Sequence, residues 1–419
     1  MSLLDRLLVA CFSVGVVLST ATQFRASAFP VGPGEALLVV WLVVNVALLV
    51  HRRRLAHPPV ARVLFLFWAV AFPTLFAGTL VSFGLGVGPV GGFAHDLMAF
   101  AFASAVGLVF ASAPGLEERV QRTAVWVPLI TVAPLAVILA ATPVFAQLGP
   151  LRPWYSVRFQ GWAENPNQLA LSVVAIPFVC GFFIGRPGGF WRRAVLVAIM
   201  AGSVVVGVAS LSDALMASWA VGLSLVLLGG WYHAARVPSG SLARVAVLRM
   251  GVPLAALFAL AVVWAPLYAR LIEVVESLYG LGDQGAVRVN LWLMGIEAML
   301  YSPVVGNGPG ALSGDYAPFG GREAHNTMVD WGASTGLVGL ALYVGILIWV
   351  GVRCWKRGHP MLAVCIFVLF VFSNLHYVLR HPIFWFYLVA IETISRMHAA
   401  PARAVSRPPG RPLVAAGVF

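Results

Sequence analysis

Charge is scarce in this chain. Asp, Glu, Lys and Arg make up 10% of its 419 residues, where soluble domains carry about 25%. Lysine is all but missing: of 27 basic residues, Lys356 alone is a lysine. Cysteine is limited to Cys11, Cys180, Cys354 and Cys365, with no CxxC pair. That argues against structural zinc and a disulfide framework and leaves them as small buried hydrophobes. No Walker loop, glycine-rich strand–turn–helix element, HExxH, GxSxG or Asp/Asn-rich metal loop occurs. What is present is apolar, with 60% hydrophobic residues and a mean hydropathy of +0.91. These features exclude an ordinary soluble domain, a disordered chain, collagen and a coiled coil. They point to an all-α polytopic membrane protein.

A spanning helix needs about 20 mainly apolar residues. Twelve segments qualify: 3–22, 34–50, 63–84, 93–113, 124–144, 167–185, 194–210, 213–231, 247–267, 327–351, 361–378 and 382–397. With the N-terminus inside, 20 of the 27 basic residues fall in inside segments. The 7 outside are Arg25, Arg152, Arg158, Arg270, Arg288, Arg322 and Arg380. Every inside loop is basic, as the positive-inside rule requires. The net charge of +12 is then a topology signal rather than a nucleic-acid footprint. An even number of spans puts both termini inside. The start of the chain reads as a retained first helix, because no convincing small-residue cleavage site follows it. Residues 1–397 form one transmembrane domain, and 398–419, rich in Pro, Arg and Ala, form a basic disordered tail. Pro73, Pro134 and Pro177 mark kinks or helix contacts within spans.

Two outside loops are longer than connection requires: about 145–166, and about 268–326 directly before the tenth span. Loops of that length usually carry function. The second is partly helical. In VRVNLWLMGIEAML, Val287, Leu291, Met294 and Ala298 share one stripe, and Arg288, Trp292 and Gly295 the adjoining one. Ionisable residues collect at the same face. Glu35, His95, Asp96, Asp330, His376, Arg380 and His381 fall near outer ends, with Glu164 and Asp213 in the outer segments; Glu392 lies deeper, toward the inside. No charged path crosses the bilayer centre, which disfavours a transporter or a lipid-linked-glycan flippase. An enzyme with neither nucleotide nor metal needs a substrate that carries its own energy. An activated lipid-linked donor in the outer leaflet meets that need. Arginine, whose planar fork grips phosphate oxygens in pairs, suits such a donor.

The segment Arg288-Val-Asn-Leu-Trp292, then Ser302-Pro303, Gly306-Asn307-Gly308-Pro309-Gly310, His325-Asn326 and Gly336-Leu-Val-Gly339, resembles the core of the O-antigen ligase/polymerase family. Upstream, Arg158-Phe-Gln-Gly161 followed by Asn165-Pro166-Asn167 is similar to that family's earlier motif, in the family's order. One departure stands out. Such proteins often carry a Ser-Arg or Thr-Arg pair between two mid-chain helices, where this chain has Ser210-Leu-Ser-Asp213. The task of that arginine falls to Arg158, Arg270 or Arg288, or is absent.

The resemblance implies a glycosyltransferase of the bacterial inner membrane with its active site in the periplasm. It would move a glycan from undecaprenyl diphosphate, with membrane lipids as surroundings, no cofactor, no metal and no nucleic acid. Ligases use the lipid A–core oligosaccharide as acceptor, polymerases another lipid-linked repeat, and a third branch protein hydroxyls (protein O-oligosaccharyltransferases). One long loop without an added outer domain favours the ligase. His325 is the expected base for the acceptor hydroxyl or a partner of the diphosphate; alternatively it neighbours a helix cap. Arg288 is the expected diphosphate clamp, or an interfacial arginine reaching headgroups. Arg158, Arg270 and Arg322 have the same two readings. Trp292 offers sugar or prenyl stacking or plain packing, and Asn167 sugar contact or a helix cap. Asp330, Glu164 and Asp96 are alternative bases. His376, Arg380 and His381 line the same outer cavity or anchor the end of a span. The Gly306–Gly310 turn serves backbone geometry or a phosphate nest.

Reporter fusions test the topology. A fusion near Gly282 should report the periplasm and one after Phe419 the cytoplasm; an inside signal at Gly282 would put the donor on the wrong side.

Overall fold

A computed structural model describes residues 2–25, 31–52, 56–86, 92–142, 151–236, 283–311 and 323–399, with the backbone alone for 52, 233–236 and 283–288. Thirteen α-helices form among them: α1 Leu3–Leu18, α2 Pro33–Arg52, α3 Pro59–Gly84, α4 Gly92–Ala111, α5 Leu116–Ala141, α6 Pro166–Val173, α7 Ile176–Ile184, α8 Phe190–Ala209, α9 Asp213–Arg236, α10 Asp283–Tyr301, α11 Thr327–Lys356, α12 Pro360–Ser373 and α13 Pro382–Met397. One small antiparallel hairpin, β1 Trp154–Tyr155 with β2 Arg158–Phe159, lies between α5 and α6.

The chain is an all-α polytopic protein. Eight stretches among the described residues are long and apolar enough to cross a membrane; α6 and α7 together make one of them, at Pro166–Ile184. Three further expected spans form shorter helices, of 16 residues in α1 and α13 and 14 in α12. The expected ninth span, 247–267, lies outside the described residues, as do Arg270 and Arg322. The amphipathic stretch expected within the second long loop is the helix α10.

The sixth and eleventh expected spans differ from their sequence outline. The sixth is not one continuous helix. Pro177 has no N–H for the Val173 carbonyl, so α6 ends and α7 begins, and the buried Val174 carbonyl accepts the indole N–H of Trp219 at 2.9 Å. The eleventh ends five residues early, at Ser373, which leaves 374–381 as an ordered turn between α12 and α13. The core centres on α13, whose residues from Pro382 to Ser395 are all buried. Around it Phe67, Trp68, Phe100, Trp331 and Trp385 interlock, with ring centroids 5.0–6.4 Å apart.

α11 is unwound at Gly336, where φ is 61° and ψ −159°, a region only glycine occupies readily. An interrupted helix inside a membrane protein must have its backbone groups satisfied from elsewhere. The glycine-rich turn after α10 does this. Asn307 and Gly308 donate N–H groups to the Ala333 and Ser334 carbonyls at 2.8 and 2.9 Å, while Leu337 and Val338 donate to Pro303 and Val304 at 2.8 and 3.2 Å. The turn therefore has the backbone-geometry role.

A side chain at 336 would place Cβ 2.7 Å from the Gly306 nitrogen and closer still to the Val304 carbonyl. Gly336→Ala should lower the thermal midpoint of the purified protein, at a cost of at least about 1–3 kcal/mol. An unchanged midpoint would mean that the kink is not held this way.

Candidate functional site

The site is assembled at the N-terminal end of α11. Asn326 caps that helix: its side-chain oxygen accepts from the Met328 and Val329 amides at 2.9 and 3.2 Å. Asp330, one turn in, folds back to accept from the Ala324 and Asn326 amides at 3.1 and 3.3 Å. From α10, the Trp292 indole donates to the Ala324 carbonyl at 2.9 Å. Thr327 donates to the His376 carbonyl at 2.8 Å and accepts from the Val378 amide at 3.1 Å. Three elements are thus fastened around the tripeptide Glu323-Ala324-His325. His325, at the middle of these contacts, has φ 52°, an uncommon conformation for a residue with a side chain.

Beside His325 runs a chain of charges. Its Nδ1 lies 3.9 Å from a Glu323 carboxylate oxygen. The other Glu323 oxygen accepts from Arg380. The Arg380 guanidinium lies over the Tyr377 ring, 4.6 Å from its centroid, and donates to Asp96 of α4 at 2.6 Å. Asp96 also meets His95 at 3.2 Å and accepts from the Gly310 amide at 3.2 Å. Three imidazoles continue the group: His325 to His376 with centroids 6.4 Å apart, and His376 to His381 at 6.0 Å. Arg25, paired with Glu35 at 2.5 Å, also acts on His381.

The environment fixes several charge states. Burial acts against ionisation of Glu323, but Arg380, His325 and His376 outweigh it and hold the carboxyl below its usual range. Burial also opposes the charge on Arg380, and Glu323 and Asp96 more than restore it. His381 is pushed well down by burial, then by His376, Arg380 and Arg25, so it is a neutral ring at pH 7.

A second group forms at the β hairpin. Arg158 donates through Nε to the Ser210 carbonyl and through a terminal nitrogen to the Asn167 amide oxygen, both at 3.3 Å. Ser212 donates to that same oxygen at 2.7 Å. Asn165 caps α6 by accepting from the Asn167 amide at 2.8 Å.

The residues expected from sequence therefore divide. His325, His376, Arg380, His381, Asp330 and Asp96 come together, and Arg158 joins Asn167 at the turn between α8 and α9. Asp330 and Trp292 hold the loop ahead of α11, the packing alternative for the tryptophan. Glu164 is exposed, and its carboxylate makes no hydrogen bond or ion pair among the described residues. Arg288 lies on α10, one turn before Trp292, with its side chain outside the described residues. Glu323 was not singled out in the sequence, although it stands two positions before His325. Among the described residues no three His, Cys, Asp or Glu side chains converge as metal ligands would. No family model matches the chain, and a search of curated proteins finds no match either.

The neutral state of His381 has a measurable consequence. An unfolded chain protonates this histidine near pH 6.5, while the folded site resists the proton, so its contribution to stability holds above that pH and shrinks as pH falls. Glu323 acts in the same direction only at lower pH, below about 4.3 and through its depressed folded value. The thermal midpoint should fall between about pH 7.5 and pH 5, and His381→Gln should flatten that dependence. An identical slope in both proteins would contradict the neutral ring.

Proposed function

We propose that this chain is a glycosyltransferase that moves an O-antigen glycan from undecaprenyl diphosphate to lipid A–core oligosaccharide. It has twelve spans, both termini in the cytoplasm, and the His325 end of the bundle in the periplasm of a bacterial inner membrane. The observation that carries this reading is the Glu323 carboxylate 3.9 Å from His325 Nδ1, at the motif position where the resemblance expects the working histidine. A carboxylate at Nδ1 favours the proton there and leaves Nε2 as the basic nitrogen. Glu323 is a positioning residue in this scheme, held in turn by Arg380.

The reaction is a single displacement. His325 Nε2 takes the proton of the acceptor hydroxyl, the acceptor oxygen bonds to the anomeric carbon, and the bond from that carbon to the diphosphate oxygen breaks. The electron pair leaves with the undecaprenyl diphosphate, and one in-line attack inverts the centre. Arginines neutralise the departing charge. Arg288 is assigned this role, with Arg158, Arg270 and Arg322 as further phosphate or sugar contacts. The position of Arg158 supports its share: its guanidinium sits on the Ser210 carbonyl, beside the stretch where similar proteins carry their extra arginine. The single long outer loop favours the lipid A–core acceptor over a second repeat unit or a protein hydroxyl.

The roles separate experimentally. His325→Ala should reduce transfer by about 10²–10⁴-fold while donor binding survives. Arg288→Lys should lose donor affinity, because an ammonium cannot reproduce the fork. Near-normal transfer by a well-expressed His325→Ala protein would remove the histidine as the base. Lost donor binding in that variant would move it into the phosphate site.

A further inference from the structure

A second cationic group lies at the opposite end of the bundle. α11 separates it from His325 by its full 30 residues, roughly 40 Å of helix. Arg186, in the turn between α7 and α8, donates to His359 Nδ1 at 3.1 Å and lies over the Phe182 ring, 4.7 Å from its centroid. Arg192, in the first turn of α8, lies over Phe183 at 5.6 Å and donates to the Pro187 carbonyl at 3.0 Å. His398, just past α13, packs edge-on against both phenylalanines, at 5.7 and 6.1 Å. His359 packs on Phe182 at 5.4 Å.

The partners of these arginines are not carboxylates. At the same end Arg119 pairs with Asp5, Arg122 with Glu118, Arg396 with Glu117, and Arg353 and Arg357 share Glu392, all at 3.1–3.3 Å. Arg186 and Arg192 have an imidazole and a carbonyl, and no carboxylate among the described residues. The inside-assigned segments 53–55, 237–250 and 400–419 contain no Asp or Glu. His359 is 5% exposed, and its Nε2 is buried without a hydrogen bond. With Nδ1 accepting from Arg186, Nε2 carries the ring proton; the Gly358 and His398 backbone also acts on this ring. Burial and the Arg186 charge push His359 down, and burial with Arg186 and Arg192 does the same to His398. The group is therefore a set of donors and positive charge without an acceptor of matching charge, which a phosphate oxyanion supplies.

The surroundings indicate how that phosphate is presented. Phe190 and Trp191 begin α8 beside Arg192 and are 75% and 79% exposed, as aromatic side chains are where helices meet lipid headgroups. We propose that Arg186, Arg192, His359 and His398 form a binding site for the phosphate oxygens of an anionic lipid headgroup, on the membrane face opposite His325. It fastens the α7–α8 turn, the start of α12 and the end of α13 to that leaflet.

The test titrates full-length protein in neutral detergent with phosphatidylglycerol, phosphatidylcholine and inorganic phosphate, and reads retained ligand by native mass spectrometry. Wild type should retain phosphatidylglycerol in preference to phosphatidylcholine. The Arg186→Gln/Arg192→Gln pair should weaken that retention about 30-fold, at about 1 kcal/mol per arginine. Arg192 is exposed, so Arg192→Gln alone keeps the fold and should weaken it about fivefold. Arg122→Gln, which removes an arginine already paired with Glu118, should leave retention unchanged. Undiminished retention in the Arg192→Gln protein overturns the proposal. So does displacement of phosphatidylglycerol by inorganic phosphate at equal concentration, which would make the occupant a free ion.

Discussion

The site end of the protein depends on one buried guanidinium. Arg380 stands between Asp96 and Glu323, and its side chain is 10% exposed. Two carboxylates left alone in such surroundings would repel each other and take up protons. With Arg380 between them that repulsion is offset, and three distant parts of the chain are joined: α4, the segment before α11, and the turn between α12 and α13. Removing one member of a buried ion pair typically costs about 3–5 kcal/mol. The more specific consequence is positional. Glu323 has one oxygen on Arg380, 57 positions away from it, and the other toward His325, so the placement of the histidine is inherited from that arginine.

A second constraint acts through the backbone. In apolar surroundings every peptide group needs a partner, and two breaks in the helices are answered by defined ones. The Gly336 break in α11 is filled by the 303–308 turn, and the α6–α7 break leaves a carbonyl that Trp219 takes. The same glycine-rich turn reaches Asp96 through the Gly310 amide. The kink in α11 and the charge chain are therefore two ends of one structure, which links the Gly306–Gly310 motif to the site without any contact to substrate.

The helices were legible because their signals are local: long apolar runs between basic loops. The apolar stripe within 287–298 announced α10 for the same reason. The gathering of ionisable residues at one face was legible too, since each lies near a span end on the same side. The pairings were not. Arg380 meets Asp96 across 284 positions, and no periodicity encodes that. Glu323 was visible inside Gly-Arg-Glu-Ala-His-Asn, two positions from His325, but its role needs Arg380 beside it. The break at Gly336 was hidden because the hydrogen bonds that permit it come from another segment. Trp292 offered stacking or, in preference, packing, and the Ala324 carbonyl at its indole N–H is a packing contact.

The central claim is that this end of the bundle transfers a lipid-linked glycan without outside energy. The direct measurement is transfer by the purified full-length protein given undecaprenyl-diphosphate glycan and lipid A–core, with no nucleotide. Lengthened lipopolysaccharide that appears with wild type and falls sharply with Glu323→Gln, at unchanged donor binding, is the predicted result. No product from well-folded wild-type protein with both substrates bound would contradict the account.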